Sequence, residues 1–457
     1  MVGLTLNTKN KIMKTNFSLW FIILGICALL FAALIGLLSS IVYIYPEFLK
    51  SILPFNQLRP LHTTSAVSWI ILTATGGLYF YISKIEKIKL FSVHFGKLHL
   101  ALFIVTGIGI LYSLFSGKMG GREYLEFFPL LTIPILIGWI LFGLNYFLSL
   151  IKTVKNWPVY YWMWGTGLIF MVYHLSEAHF WIFNEIRGDF IKDLTIQWKS
   201  YGSFVGSWNL LVYGTVIYLM SKIKGDDSIG RGKTAFFFYF LGLTNLMFGW
   251  AHHTYIIPTQ PWIRYLAYAV SMTEWIIFIH IVYNWSKSIS KEKKKFNFLT
   301  YKFIIASEIW VFLNLTLALF MSIPTFNYFM HGTHITVGHS MGTTIGINTT
   351  ILFASISYII SKLYNTNPLN NNKIVKIGFY IFNISLLLFW LVLIIGGIYK
   401  AIWMTDIENN NFSNLQESSN FIYNLFSISG GILFTSLLMI TIPMLKKLTF
   451  YSLKNNR

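Results

Sequence analysis

Residues 331–348 read HGTHITVGHSMGTTIGIN and open a long apolar run. They set His339 and Met341 two positions apart. Imidazole is the commonest protein ligand for metals, and a thioether is an accepted axial donor to iron. An α-helix turns about 100° per residue, so these two side chains point to nearly opposite sides. If both are ligands, they serve different partners, one on each face of the helix. Two further groups could do related chemistry. His252 and His253 are adjacent, about 100° apart at the end of an apolar run, and both can reach one metal if the helix end faces it. His174 and Glu177 stand at i and i+3 and share a helix face.

The elements that must carry these groups are membrane helices. The chain has 457 residues, 55% of them hydrophobic and only 11% charged, where a soluble protein of this size would need far more polar surface. Windows of about 20 apolar residues define twelve spans. They cover residues 17–45, 61–84, 96–116, 127–152, 157–184, 200–222, 233–257, 263–286, 301–323, 331–363, 375–401 and 421–446. The first is too long for the apolar region of a cleavable signal peptide. The single cysteine, Cys27, lies inside it, which excludes a disulfide framework, a thiolate cluster and a CxxCH haem-attachment motif within this sequence.

The net charge of +19 raises the question of nucleic acid, and its distribution answers it. Lys9, Lys11 and Lys14, the segment Lys84–Lys97, the run Lys291–Lys295, the loop Lys362–Lys376 and the tail from Lys446 all fall on one side of the twelve spans. The opposite loops carry Glu123, Glu126, Glu185, Asp189, Asp193, Asp406 and Glu408. Such an asymmetry is a topology signal that places both termini in the cytoplasm, with attraction to anionic lipid added. The partner is the bilayer, and no nucleic acid is expected. The same topology supplies depth. His62 opens the second span, His252 and His253 close the seventh, and His339 and Met341 begin the tenth, so all lie toward the outer side. Ionisable or ligating groups inside a bilayer are costly and usually functional. Any one of these histidines could be a simple interhelical contact, but their convergence on one depth points to a cofactor.

The motifs LRPLHTT, GGREYLEFFP, AHHTYIIP, SMTEW and HGTHITVGH together resemble the large subunit of bacterial nitric oxide reductases, within the haem-copper oxidase superfamily. The resemblance runs span for span over essentially the whole chain. It implies an all-α, polytopic subunit I fold of twelve transmembrane helices, forming one domain over residues 1–457 in the inner membrane of a bacterium. It also implies two b-type haems, one low-spin and one high-spin, with a non-haem metal facing the second. Carried over, His62 would be a low-spin haem ligand, with Met341 where the family has its second histidine. His339 would hold the high-spin haem, and His252 and His253 the metal. Arg122, Glu123 and Glu126 would lie near haem propionates and a calcium. Glu274, twenty-one residues after His253, would stand near the metal and its proton supply. Arg59 and Arg264 could pair with propionates, although arginine at a span boundary is also ordinary snorkelling.

Two departures from the family pattern matter. His62/Met341 ligation would raise the low-spin haem potential relative to a bis-histidine site. The sixth span, QWKSYGSFVGSWNLLVYG, should bring a third metal histidine followed four residues later by a glutamate. It has Gly202 and Gly206 at the aligned places, and Asn209 where a further glutamate is usual. The fifth span is therefore expected to supply substitutes, His174 first and Glu177 second; the alternative is an incomplete metal site.

The implied activity is reduction of nitric oxide to nitrous oxide, with iron favoured over copper because a carboxylate is a hard ligand. Oxygen reduction is the rival within the superfamily. The seventh span, LTNLMFGWAHH, lacks the tyrosine that related high-affinity oxygen reductases carry about two turns before the pair. A non-catalytic haem protein, serving electron transfer or sensing, is the rival from another class, and the span-six glycines motivate it. Electrons must come from a partner, either a membrane-anchored cytochrome c-type subunit or a quinol. The short N-terminus favours the first, because the quinol-fed branch of the family carries a long extension.

Overall fold

The computed structural model describes residues 17–271, 275–405 and 411–454. Its principal helices are α1 (Phe17–Val42), α2 (Phe55–Phe80), α3 (Val93–Phe115), α4 (Thr132–Leu150), α5 (Val159–Glu177), α6 (Phe190–Lys224), α7 (Lys233–Phe248), α8 (Pro261–Ser271), α9 (Trp275–Ser288), α10 (Phe298–Ser322), α11 (His334–Met341), α12 (Thr350–Tyr364), α13 (Lys373–Met404) and α14 (Asn420–Lys454). Short helical turns fill several connections, and no strand occurs among the described residues.

Ten helical stretches among the described residues are long and apolar enough to cross a membrane. The other two expected spans correspond to α5, which is nineteen residues long and rich in Tyr, Trp and Gly, and to α8 and α9, which flank residues 272–274 in the sequence. Helices form because a backbone in hydrocarbon must satisfy its hydrogen bonds within its own segment. Their ends outside it are capped by polar side chains: Ser92 accepts from the Phe95 N–H, Asp189 from Ile191 and Lys192, and Asn372 from Ile374 and Val375. Gly225 ends α6 in the left-handed region at φ 89°, a conformation glycine adopts without steric cost.

Packing follows the chain order, with one closure. α1 lies against α2, α3 against α4, α5 against α6 and α13 against α14, and α1 also contacts α14, joining the two ends of the bundle. The core is dominated by large aromatics, Trp69, Trp139, Trp164 and Trp285 being fully buried. Such rings contribute most of the packing area where the hydrophobic effect cannot drive helices together.

The sequence suggests one continuous span over 331–363, and the structure keeps it helical over His334–Tyr364 while changing its form partway. Thr333 caps α11 by accepting from the Ile335 N–H, α11 ends at Met341, and residues Gly342–Thr349 continue as a π-helix into α12. A π stretch widens the helix and shifts the phase of the residues beyond it, and it is found mostly at functional sites. Here it directs Asn348 toward Asn209 of α6, at 3.1 Å, and Thr349 toward the Trp69 indole of α2, at 2.9 Å.

Candidate functional site

A cavity of about 950 Å³ runs between these helices. That lies at the upper end of the roughly 300–1,000 Å³ typical of cofactor and small-molecule sites. One part is lined by His62, Arg59 and Met341, another by His252, His253 and His339. The expected ligands from separate helical segments therefore share one continuous space.

His62 is oriented by its neighbours. Its Nδ1 lies 2.8 Å from the Ala32 carbonyl of α1. A carbonyl only accepts, so Nδ1 carries the proton and Nε2 keeps the free lone pair. The ring fits because residue 36 is glycine: a Cβ there would lie 2.7 Å from both Nδ1 and Cε1 of His62. His339 is held through its backbone. Its carbonyl accepts from Thr343 Oγ1 at 3.2 Å, and that hydroxyl accepts from Asn314 Nδ2 at 2.8 Å. Its Nδ1 is buried without a hydrogen-bond partner.

α7 ends at Phe248, and the chain tightens into a 3₁₀ turn over Gly249–Thr254 that carries the histidine pair. The two rings lie 4.2 Å apart between centroids, at 38°. His252 Nδ1 is buried and unpartnered, while its carbonyl accepts from Asn327 Nδ2 at 3.1 Å. His253 stacks on Trp198 of α6, 5.5 Å between centroids and 10° between planes. Buried polar atoms without partners are uncommon in finished structures. Two of those found here belong to His252 and His339, and imidazole nitrogens fit iron or another borderline metal.

On one wall of the cavity Arg59 pairs with Glu123 and, at 3.6 Å, with Glu126, and its guanidinium lies over the Tyr124 ring. One Glu126 carboxylate oxygen is buried without a partner, and burial pushes this carboxyl above the usual range. Arg122 does not join this cluster: it donates to Asp193 at 2.5 Å and lies over Trp181. Arg264 donates to the Tyr255 carbonyl at 2.9 Å.

The expected substitute ligands are placed elsewhere. His174 Nδ1 lies 3.0 Å from Glu177, and Glu177 is ion-paired with Lys199 of α6. Neither residue lines the cavity. α6 explains this, because it turns different faces to its neighbours. Gly167 of α5 packs on Ser207 and Leu211, whereas Gly202 and Gly206 pack on Trp250 and Leu246. A Cβ on Gly202 would lie 2.8 Å from the Trp250 Cβ, and one on Gly206 2.9 Å from the Leu246 Cγ. The glycines let α6 press against the turn that bears the histidines, and no longer side chain fits there. His179 is occupied at both ring nitrogens, by Thr132 and by the Leu175 carbonyl. Glu274 lies outside the described residues. Among the described residues, no three or more His, Cys, Asp or Glu side chains converge to hold a metal ion. The donor set thus fits haem ligation well and offers a non-haem metal two imidazoles.

Sequence reasoning passed over Trp198 and Tyr201, which line the cavity, and His331 and His334, which line it as well. The i, i+4, i+8 spacing of Tyr201, Val205 and Asn209 could have singled out that stripe of α6, since all three face the cavity.

The sequence profile of the family described as Cytochrome C and Quinol oxidase polypeptide I matches residues 16–433. The chain is 23% identical over 424 residues to a nitric oxide reductase subunit of Stutzerimonas stutzeri, covering 87% of each. It is 20% identical over 417 residues to cytochrome c oxidase subunit 1 of Rhodobacter capsulatus, covering 85% of this chain and 76% of that one. A cryo-EM structure of a haem-copper terminal oxidase dimer superposes with a TM-score of 0.75 at 15% identity, over 95% of this chain and 84% of its own.

Proposed function

The chain belongs to the cytochrome c and quinol oxidase polypeptide I family, and from that premise we propose that it reduces nitric oxide to nitrous oxide in a bacterial respiratory membrane. The observation that carries this reading is the single cavity shared by His62 and Met341 with His339, His252 and His253. His62 and Met341 would hold a low-spin haem b, His339 a high-spin haem b, and the histidine pair a non-haem iron. When bound, these groups supply an electron relay and the Lewis acidity that polarises the substrate. In the overall reaction two NO molecules take up two electrons and two protons. One N–N bond forms, one N–O bond breaks, and N₂O and water leave.

The protein's own residues orient and enclose. The Ala32 carbonyl fixes the His62 tautomer, Asn327 tethers the His252 backbone, and Trp198 holds the plane of His253. Ligand rings held this way lose little freedom on binding, as preorganised sites require. Arg59 is already shared between Glu123 and Glu126, so haem carboxylates beside them would need a further cation, such as the calcium the resemblance implies. Electrons come from a partner, a membrane-anchored cytochrome c-type subunit, and both termini face the cytoplasm.

Oxygen reduction is the second reading, supported by the oxidase relative and the terminal-oxidase fold. Membranes containing the protein, supplied with reductant and, in separate assays, NO or oxygen, distinguish the readings. N₂O formation is expected. Oxygen consumption without N₂O would establish the second reading, and neither activity would leave a haem protein without this chemistry.

A further inference from the structure

We propose that Glu308 of α10 holds a proton that the reaction consumes and hands it into the cavity. This rests on the proposed reaction, which takes up two protons at the site. Both carboxyl oxygens of Glu308 are buried, and neither has a hydrogen-bond partner among the described residues. An ionised carboxylate with neither partner nor solvent is costly, and such a group escapes the cost by keeping its proton. Ionisable groups inside a membrane span are rare and characteristically mark ion paths and proton relays.

Two registers place Glu308 at one end of the cavity. Around α10 it falls within about 20° of Leu315 and Leu319, both of which line the cavity. Val311, about one turn after Glu308, lines it too. Along the axis, Ser286 of α9 and Tyr301 of α10 hydrogen-bond at 2.7 Å and set these antiparallel helices side by side. Glu308 lies about 10.5 Å beyond Tyr301 along α10, and Phe278 about 12 Å from Ser286 along α9, so the two are nearly level. Phe278 lines the cavity, and so does Tyr213 of α6, whose ring lies 5.7 Å from it between centroids. Tyr301 shares the stripe of Glu308 at its far end, partly exposed beneath Lys294 of the basic run. The stripe therefore leads from a basic surface, past one acid, to the cavity. When the substrate N–O bond breaks, the Glu308 O–H bond breaks with it and the proton passes to the departing oxygen through cavity water. The carboxylate then regains a proton from solvent at the Tyr301 end. Two such transfers supply both protons, and the electrons come from the partner.

The test mixes the reduced full-length protein in detergent with NO, following haem oxidation optically and proton uptake with a pH-indicating dye. Glu308→Gln keeps the shape of the side chain and loses the acid. It is expected to retain haem content, haem spectra and melting temperature, and to bind NO as the parent does. Proton uptake and N₂O formation should slow together, on the order of 100-fold, the low end for loss of a positioned proton donor. Glu308→Asp, which restores an acid, should recover most of both rates. A structural role would instead disturb the haem spectra and would be relieved better by glutamine than by aspartate. Proton uptake at the parent's rate in Glu308→Gln overturns the proposal and leaves the functional reading standing, as does a slowing that Glu308→Asp does not relieve. If the parent reduces oxygen and not NO, the same comparison is read as oxygen consumption. A parent that reduces neither overturns the functional reading itself, and the role of Glu308 with it.

Discussion

Replacing Gly36 by alanine tests how His62 is held. The added Cβ would meet Nδ1 and Cε1 of the ring at 2.7 Å, where ordinary contact begins at 3.4 Å. Either the ring or α1 must give way by the difference, 3.4 − 2.7 = 0.7 Å. The Nδ1–H bond to the Ala32 carbonyl, 2.8 Å in the parent, would lengthen toward 3.5 Å, beyond useful hydrogen-bond range. Loss of that bond costs about 1 kcal/mol and the overpacking a further ~1–3 kcal/mol. The sum of ~2–4 kcal/mol corresponds to roughly a 30- to 1,000-fold loss in affinity for a group that needs His62 in place. Disturbing the hydrogen bond behind a ligating histidine elsewhere costs about 10–100-fold, so the lower half of that range is expected. The assay is the haem-to-protein ratio, with optical spectra separating low-spin from high-spin signals. Low-spin haem should fall and high-spin haem should remain. Gly107→Ala, where the added carbon meets nothing within 4 Å, is the matched control. Full low-spin occupancy with an unchanged spectrum in Gly36→Ala would refute the tautomer-and-fit account of His62.

Other substitutions examine the remaining parts of the site. Met341→His should keep a low-spin haem but lower its midpoint potential, while Met341→Leu should remove the low-spin signal; redox titration followed optically reads both. His174→Ala should leave non-haem metal content unchanged, because His174 lies outside the cavity and bonds Glu177 instead. Metal loss in that variant would reinstate α5 as a ligand source. Gly202→His should destabilise by about 1–3 kcal/mol and not improve metal binding, since its side chain would enter space filled by Trp250; thermal unfolding and metal analysis measure the two effects. Asn327→Leu removes the donor to two buried carbonyls, His252 at 3.1 Å and Met321 at 2.8 Å. It should cost about 2–4 kcal/mol in stability and loosen the histidine turn, seen as a lower melting temperature and weaker metal retention.

Much of this architecture is legible in the sequence because the signals are local. Apolar runs reveal spans and the lysine pattern suggests sidedness, and the two together single out His62, His252, His253 and His339, which the structure has lining one cavity. The rotation of α6 about its own axis is a different matter. Nearly every residue of its second half is buried, so no polar stripe marks which face meets α5 and which meets α7. That phase arises from two close approaches, Gly167 on Ser207 and Gly202 on Trp250. They leave Tyr201 at the cavity and His174 behind the helix. The change to a π-helix after Met341 is equally hidden, since glycine, threonine and asparagine in 342–349 are compatible with several helical forms. Sequence alone thus determined the membrane class and singled out the histidines that line the cavity, because helix period and the cost of charge in hydrocarbon leave local signals. Tertiary packing alone decided which helix faces enclose the cavity, because contacts between distant segments set helix rotation and no local pattern records it.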